Sequence, residues 1–181
     1  MALGRLLERV DYSEVTAGAV AAEAGLAHGT FYRYFKDTQD ALRAAVEQVR
    51  EAVDRTALVA DRPIGTLGEE RERVRRWAEA AMRAPVDRPG LVRAWLAVSE
   101  RDPAMAARKN ERRLQTQAEL SGYIERLTAA GLTRVPDAAG LASALLSLVH
   151  GTVRESAAGV PLTDGGVEGV LLVVDRAVFC A

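Results

Sequence analysis

Between Glu23 and Asp37 the chain carries no acidic residue, yet it places His28, Gly29, Thr30, Tyr32, Arg33, Tyr34 and Lys36 in close succession. These side chains donate hydrogen bonds, offer apolar faces to thymine methyls and bring positive charge to phosphates. Gly29 adds no side chain, so a duplex can approach the backbone there. The favourable field is local. The chain holds 24 Lys and Arg against 25 Asp and Glu, a net charge of -1. Even from Met1 to Ala60 there are seven cations against nine acids. A nucleic-acid surface therefore has to rest on one short segment.

Such a segment needs a scaffold. Phe31 and Phe35 are four apart and share one helix face. Four aromatics in Phe31-Tyr32-Arg33-Tyr34-Phe35 cannot all turn inward on a short helix, so Tyr32 and Tyr34 point elsewhere. The preceding residues suit a tight crossing of two helices. Ala21 is small where the helices approach, and Gly25 tolerates the positive φ that the turn requires. Val20, Ala24, Leu26, Phe31 and Phe35 are spaced to fill the angle. The pattern predicts helices over Ala2 to Val10, ended by Asp11 and Tyr12, over Ala17 to Ala24 with Thr16 as N-cap, and over His28 to Phe35. A fourth helix starts after Asp37, with Asp40 in a capping-box-like position, and continues to about Ala60.

Tyr12, Thr16, Val20-Ala21, Ala24-Gly25 and Gly29-Thr30-Phe31-Tyr32-Arg33-Tyr34-Phe35-Lys36 resemble the signature of the TetR family of transcriptional regulators. The resemblance covers roughly residues 1 to 50. It implies a repressor that binds double-stranded operator DNA as a homodimer and is released by a small-molecule effector. The DNA-binding set is Thr16, Ala27, His28, Gly29, Thr30, Tyr32, Arg33, Tyr34 and Lys36. Three features depart from the family pattern. The first helix is short and lacks a preceding basic arm. Asp11 stands where Gly is usual, although Asp also tolerates a left-handed helix end. Thr38 stands where a phosphate-supporting Lys is usual, which implies weaker or redistributed backbone contacts.

Beyond Asp61-Arg62-Pro63-Ile64-Gly65, the strongest break in the chain, a second and larger helical domain is expected over residues 61–181. Its helices are predicted over Leu67 to Arg83, Leu91 to Glu100, Ala104 to Ala130, Ala138 to Ala158 and Val167 to Val178. Asp164-Gly165-Gly166 reads as a turn, since it lacks the Lys and preceding strand of a phosphate loop. The fold class is all-α. The last helix, Val167 to Val178, is apolar over more than one face, which suits either a dimer interface with the helix over Ala138 to Ala158 or a buried helix in a monomer, and Val174 is the residue that probes it. Trp77, Met82, Trp95, Leu96 and Tyr123 are the effector-pocket candidates, each equally readable as core. His150 is either a core or interface histidine or a ligand contact. Arg154 is placed to meet an acidic ligand or Asp175. Arg71 to Arg76 and the cluster Arg108, Lys109, Arg112 and Arg113 read as solvated helix faces.

An enzyme is not expected. The chain has two histidines and one cysteine, Cys180, and lacks His-Glu-x-x-His, Gly-x-Ser-x-Gly and Gly-x-Gly-x-x-Gly. No metal site and no cofactor are expected. The start has no signal-peptide core, and the longest strongly apolar run, Val170 to Val174, is too short to span a bilayer. The expected location is the cytoplasm, without a membrane partner.

Overall fold

The computed structural model describes residues 2–54 and 62–180, which form nine α-helices, one 3-10 turn and no strand. The N-terminal helices are α1 (Ala2–Leu7), α2 (Ala17–Glu23), α3 (His28–Phe31) and α4 (Thr38–Asp54), with the 3-10 turn at Tyr12–Glu14. They are followed by α5 (Leu67–Val86), α6 (Pro89–Arg101), α7 (Pro103–Ala129), α8 (Ala138–Ala157) and α9 (Asp164–Phe179).

Local chemistry starts these helices. Thr16 Oγ1 accepts from Ala19 N at 3.1 Å at the head of α2. Asp37 Oδ1 accepts from Asp40 N at 2.7 Å, and Asp40 Oδ2 accepts from Lys36 N at 3.1 Å, so α4 opens with a reciprocal cap. Thr66 and Glu69 make a full capping box on α5. Gly25 has φ +70°, as a sharp turn from α2 requires.

Several bounds differ from expectation. Asp11 is extended rather than left-handed (φ -68°, ψ 151°), because its carboxylate caps the 3-10 turn through Ser13 N. That bond, with the Ser13 hydroxyl, holds the Asp11 carboxyl below its usual range. Helix α3 stops at Phe31, where Tyr34 N and Phe35 N both converge on Phe31 O at 3.0 Å and the ladder ends. Helix α5 runs through Pro85, which sits in its last turn and so removes little of its hydrogen bonding. Asp164-Gly165-Gly166 forms the first turn of α9, capped by Thr163, rather than a separate loop. The end of α4 expected at about Ala60 lies outside the described residues.

Two apolar cores organise the molecule. The first gathers Leu3, Leu7, Val20, Ala21, Phe31 and Leu42, and it also takes Leu91 and Ala94 from α6. The small N-terminal unit is therefore completed by the larger one. The second core joins α5, α7, α8 and α9 through Trp77, Met82, Ile124, Leu127, Val149 and Val174. Val53 of α4 packs against this second core, so α4 touches both. Gly90 allows the closest approach of α6 to α1. A Cβ there would lie 2.1 Å from Leu7 O, and Gly90 N donates to Glu8 Oε1 at 3.2 Å. Gln39 Nε2 donates to Asp102 Oδ2 at 2.6 Å, tying the first turn of α4 to the α6–α7 corner.

Arg71, Arg75 and Arg83 are not free helix-face charges. They pair with Asp175, Glu168 and Asp164 respectively and clip α5 to α9. Asp175 is thereby engaged by Arg71, not by Arg154.

Candidate nucleic-acid interface

The recognition segment is held from behind. Phe31 is buried, with Phe35 tilted against it at 5.4 Å and Tyr32 edge-on at 5.3 Å. Gly18 on α2 admits His28 closely, since a Cβ there would sit 3.0 Å from His28 Nδ1. His28 then meets Tyr32 edge-on at 5.6 Å. The sequence reading passed over Gly18, whose only signal was a small residue one turn ahead of the crossing. Arg5 and Arg9 both bind Glu23 at the end of α2 and fix α1 to it. The Tyr12 hydroxyl donates to Thr38 Oγ1 at 3.5 Å, and burial raises the Tyr12 pKa above its usual value.

With Phe31 turned inward, Ala27, His28, Gly29, Tyr32, Arg33, Tyr34 and Lys36 are exposed together. Thr30 is half-buried on the flank, and Thr16 is exposed with its hydroxyl already used as a cap. Arg33 and Lys36 have no ion pair among the described residues, so their charge is available to an external anion. Ala24 and Leu26 do not fill the interhelical angle as expected; both are exposed. They border a small apolar cleft of about 130 Å³ that also touches Ala21, Phe31 and Tyr34. The four-residue α3 is too short to cover them.

The sequence model described as bacterial regulatory proteins, tetR family, matches residues 2–46. A second, the C-terminal domain of BetI-type transcriptional repressors, matches residues 70–172, more than half of the chain. The chain belongs to the TetR family. It is a DNA-binding transcriptional regulator and not an enzyme. Solved structures share the fold. A TetR-family regulator, PfmR, from Thermus thermophilus superposes with a TM-score of 0.68 at 18% identity, covering 98% of this chain and 94% of that one. A transcriptional regulator from Rhodococcus sp. Rha1 gives 0.73 at 16% identity, covering 98% and 91%. A TetR transcription regulator from Haloarcula marismortui gives 0.73 at 18%, covering 98% and 92%. No curated protein matches the sequence significantly.

Within this TetR-family chain the six effector candidates do not form one group. Trp77, Met82 and Tyr123 are buried together in the second core. Trp95 packs against the N-terminal core instead, and Leu96 beside it is half-buried. His150 is exposed on α8 rather than enclosed by its own chain. A cavity of about 290 Å³ lies between α1 and α6, bordered by Glu8, Arg9, Tyr12, Gly90 and Arg93. None of the six candidates lines it or the apolar cleft. The Tyr123 hydroxyl donates to Glu70, a carboxylate with 0% exposure that sequence reading did not single out. Burial and that carboxylate raise the Tyr123 pKa.

Although it lies at the surface, crowding of its ring by neighbouring atoms, and then the charges of Arg113, Lys109 and Arg154, hold the His150 pKa below its usual value. A base whose folded pKa is depressed binds fewer protons folded than unfolded, so its contribution to stability falls as pH drops through its unfolded pKa of 6.5. Replacing His150 with Gln should therefore flatten the loss of thermal stability between about pH 7 and pH 5. An identical pH profile for the variant would show that the imidazole has no part in it.

No helix among the described residues is long and apolar enough to cross a membrane, and no group of three potential ligands could hold a metal ion there.

Proposed function

We propose that the chain is a homodimeric repressor that leaves its operator when a small-molecule effector enters the C-terminal domain. The observation that carries the DNA half of this reading is the outward, acid-free surface of α3 and the turn after it, set on a buried Phe31. His28, Tyr32 and the half-buried Thr30 are the residues nearest the bases, with Arg33, Tyr34 and Lys36 toward phosphates. Thr16, Ala27 and Gly29 supply backbone proximity. In this reading residues 1–50 are the DNA-binding domain, α4 is the link, and the effector and dimer contacts belong to residues 61–181. The operator is in the cytoplasm.

The dimer is supported by α9, which leaves Leu172 and Val173 at 56% and 52% exposure next to half-buried Val170. Two copies joined there must hold their recognition helices about 34–36 Å apart to enter successive major grooves. Effector coupling is supported by the two-sided packing of α4, whose tilt alters that separation. A coupling of about 1–3 kcal/mol, roughly 5- to 150-fold in affinity, is typical.

The experiment is an electrophoretic shift with the DNA upstream of the coding region. Tyr32→Ala should weaken operator binding by about 1–3 kcal/mol while random duplex is bound as before. A folded variant with unchanged operator affinity would remove Tyr32 from the base-reading set. For the effector half, Trp77→Ala and Trp95→Ala are compared for release by a candidate effector. Undiminished release in both would put the pocket elsewhere.

A further inference from the structure

The basic stretch on α7 does not lie on an isolated solvated face. Packing of α7 against α8 brings Arg113 level with Ser147, to whose Oγ it donates at 3.4 Å. Lys109 and Arg113, one turn apart on α7, then face His150 and Arg154, one turn apart on α8, and all three cations act on the imidazole. Lys109 and Arg113 repel along α7, and Arg154 adds a third positive charge from α8. Several cations elsewhere meet carboxylates, as at Arg5, Arg9, Arg71, Arg75 and Arg83. Lys109, Arg113 and Arg154 have no ion pair among the described residues. Arg33 and Lys36, on the DNA-reading segment, are in the same condition.

We propose that Lys109, Arg113, His150 and Arg154 form a binding site for a small, multiply charged anion, such as a phosphate ester or polycarboxylate. Two helices supply two donors each, so the site is built by the tertiary fold and presents a concentrated charge rather than a line of it. A duplex is the less fitting occupant. Asp102 is tied to Gln39 in the first turn of α4, whereas Arg113 lies eleven residues along α7, roughly 16 Å further on. The site does not depend on the repressor reading, because it is measured on the protein without DNA.

The chain has two histidines, His28 and His150, so their imidazole C–H signals in proton NMR are readily assigned. The full-length protein is titrated with pH in sodium sulfate and in sodium chloride of equal ionic strength. Sulfate should raise the proton affinity of His150 by threefold or more, roughly half a pH unit. In Lys109→Met/Arg154→Met the His150 pKa should start higher, from relief of repulsion, and no longer respond to sulfate. Arg113→Gln serves as a second variant that retains a donor toward Ser147, and it should at least halve the response. Equal shifts in sulfate and chloride overturn the proposal, as does an unaltered sulfate response in the variants. A cluster that answers only to random duplex is a DNA contact. A double variant that no longer dimerises in sedimentation, with sulfate inert on wild type, assigns it to a protomer contact. Both results overturn the anion site while leaving operator binding by α3 untouched.

Discussion

Leu172→Asp combined with Val173→Asp should yield a folded protomer that fails to dimerise, whereas Val174→Asp should yield no folded protein. The three residues are consecutive on α9, yet their surroundings differ completely. Leu172 and Val173 are 56% and 52% exposed, and Val174 is 1% exposed in the core shared with Trp77, Val149 and Val167. Val174, the probe suggested by the sequence, is buried within its own protomer, and its two neighbours are the exposed apolar residues. An unpaired carboxylate in an apolar core costs several kcal/mol even after it protonates. Whole domains are stable by only about 5–15 kcal/mol. On the exposed stripe the same carboxylates stay hydrated in the free protomer and are penalised only when a second copy covers them. Circular dichroism should show full helix content for the double variant and little for Val174→Asp. Sedimentation should show a monomer for the former, with operator affinity sharply reduced because one recognition helix can no longer reinforce the other. A double variant that sediments as a dimer would place the interface elsewhere.

Glu70→Ala should be the most damaging polar substitution in the C-terminal domain. Glu70 has 0% exposure, and its carboxylate is served by three elements. It accepts from Gly65 N at 2.7 Å and from the Tyr123 hydroxyl, and it pairs with Arg73 at 3.3 Å. Removing it strands a backbone N–H, a phenol and a nearly buried guanidinium together, at a cost of about 3–5 kcal/mol. Tyr123→Phe removes a single donor to a charged acceptor, at about 1.5–3 kcal/mol. Urea unfolding of the two variants should rank them in that order. The raised pKa of Tyr123 adds a signed test. The folded state holds the phenolic proton more tightly than the unfolded chain does, so wild-type stability should fall as pH rises above 10.0. Tyr123→Phe should lose that dependence. If Tyr123→Phe is as stable as wild type, the phenol contributes nothing to the network. Because Gly65 directly precedes the Thr66 cap, the same network ties the start of α5 to α7.

Signals that act within one turn of chain were legible before folding was considered. The Thr16 cap, the reciprocal Asp37 and Asp40 cap and the positive φ of Gly25 depend on neighbours at most four or five residues away. They sufficed to place a recognition segment after a tight turn and to resemble one family closely enough to imply the remainder. The length of α3 was not legible, because Phe35 keeps helical spacing with Phe31 while the backbone ladder has already ended.

Which face of a helix meets which neighbour was settled only by the tertiary structure. Periodicity gives a stripe but not its rotation about the axis, and one residue of rotation separates Val174 in the core from Val173 in solvent. Trp95 was grouped with Trp77 by residue type, yet α6 turns it toward the N-terminal core. Gly90 had no sequence signal, since its need for a missing Cβ arises from a Leu7 carbonyl more than eighty residues away. Charges followed the same rule. The cations of α5 found carboxylates on α9, and those of α7 found further cations on α8. Sequence proximity sets the strength of each charge cluster, but its partners come from helices distant in the chain, and packing alone decides whether they neutralise it or reinforce it.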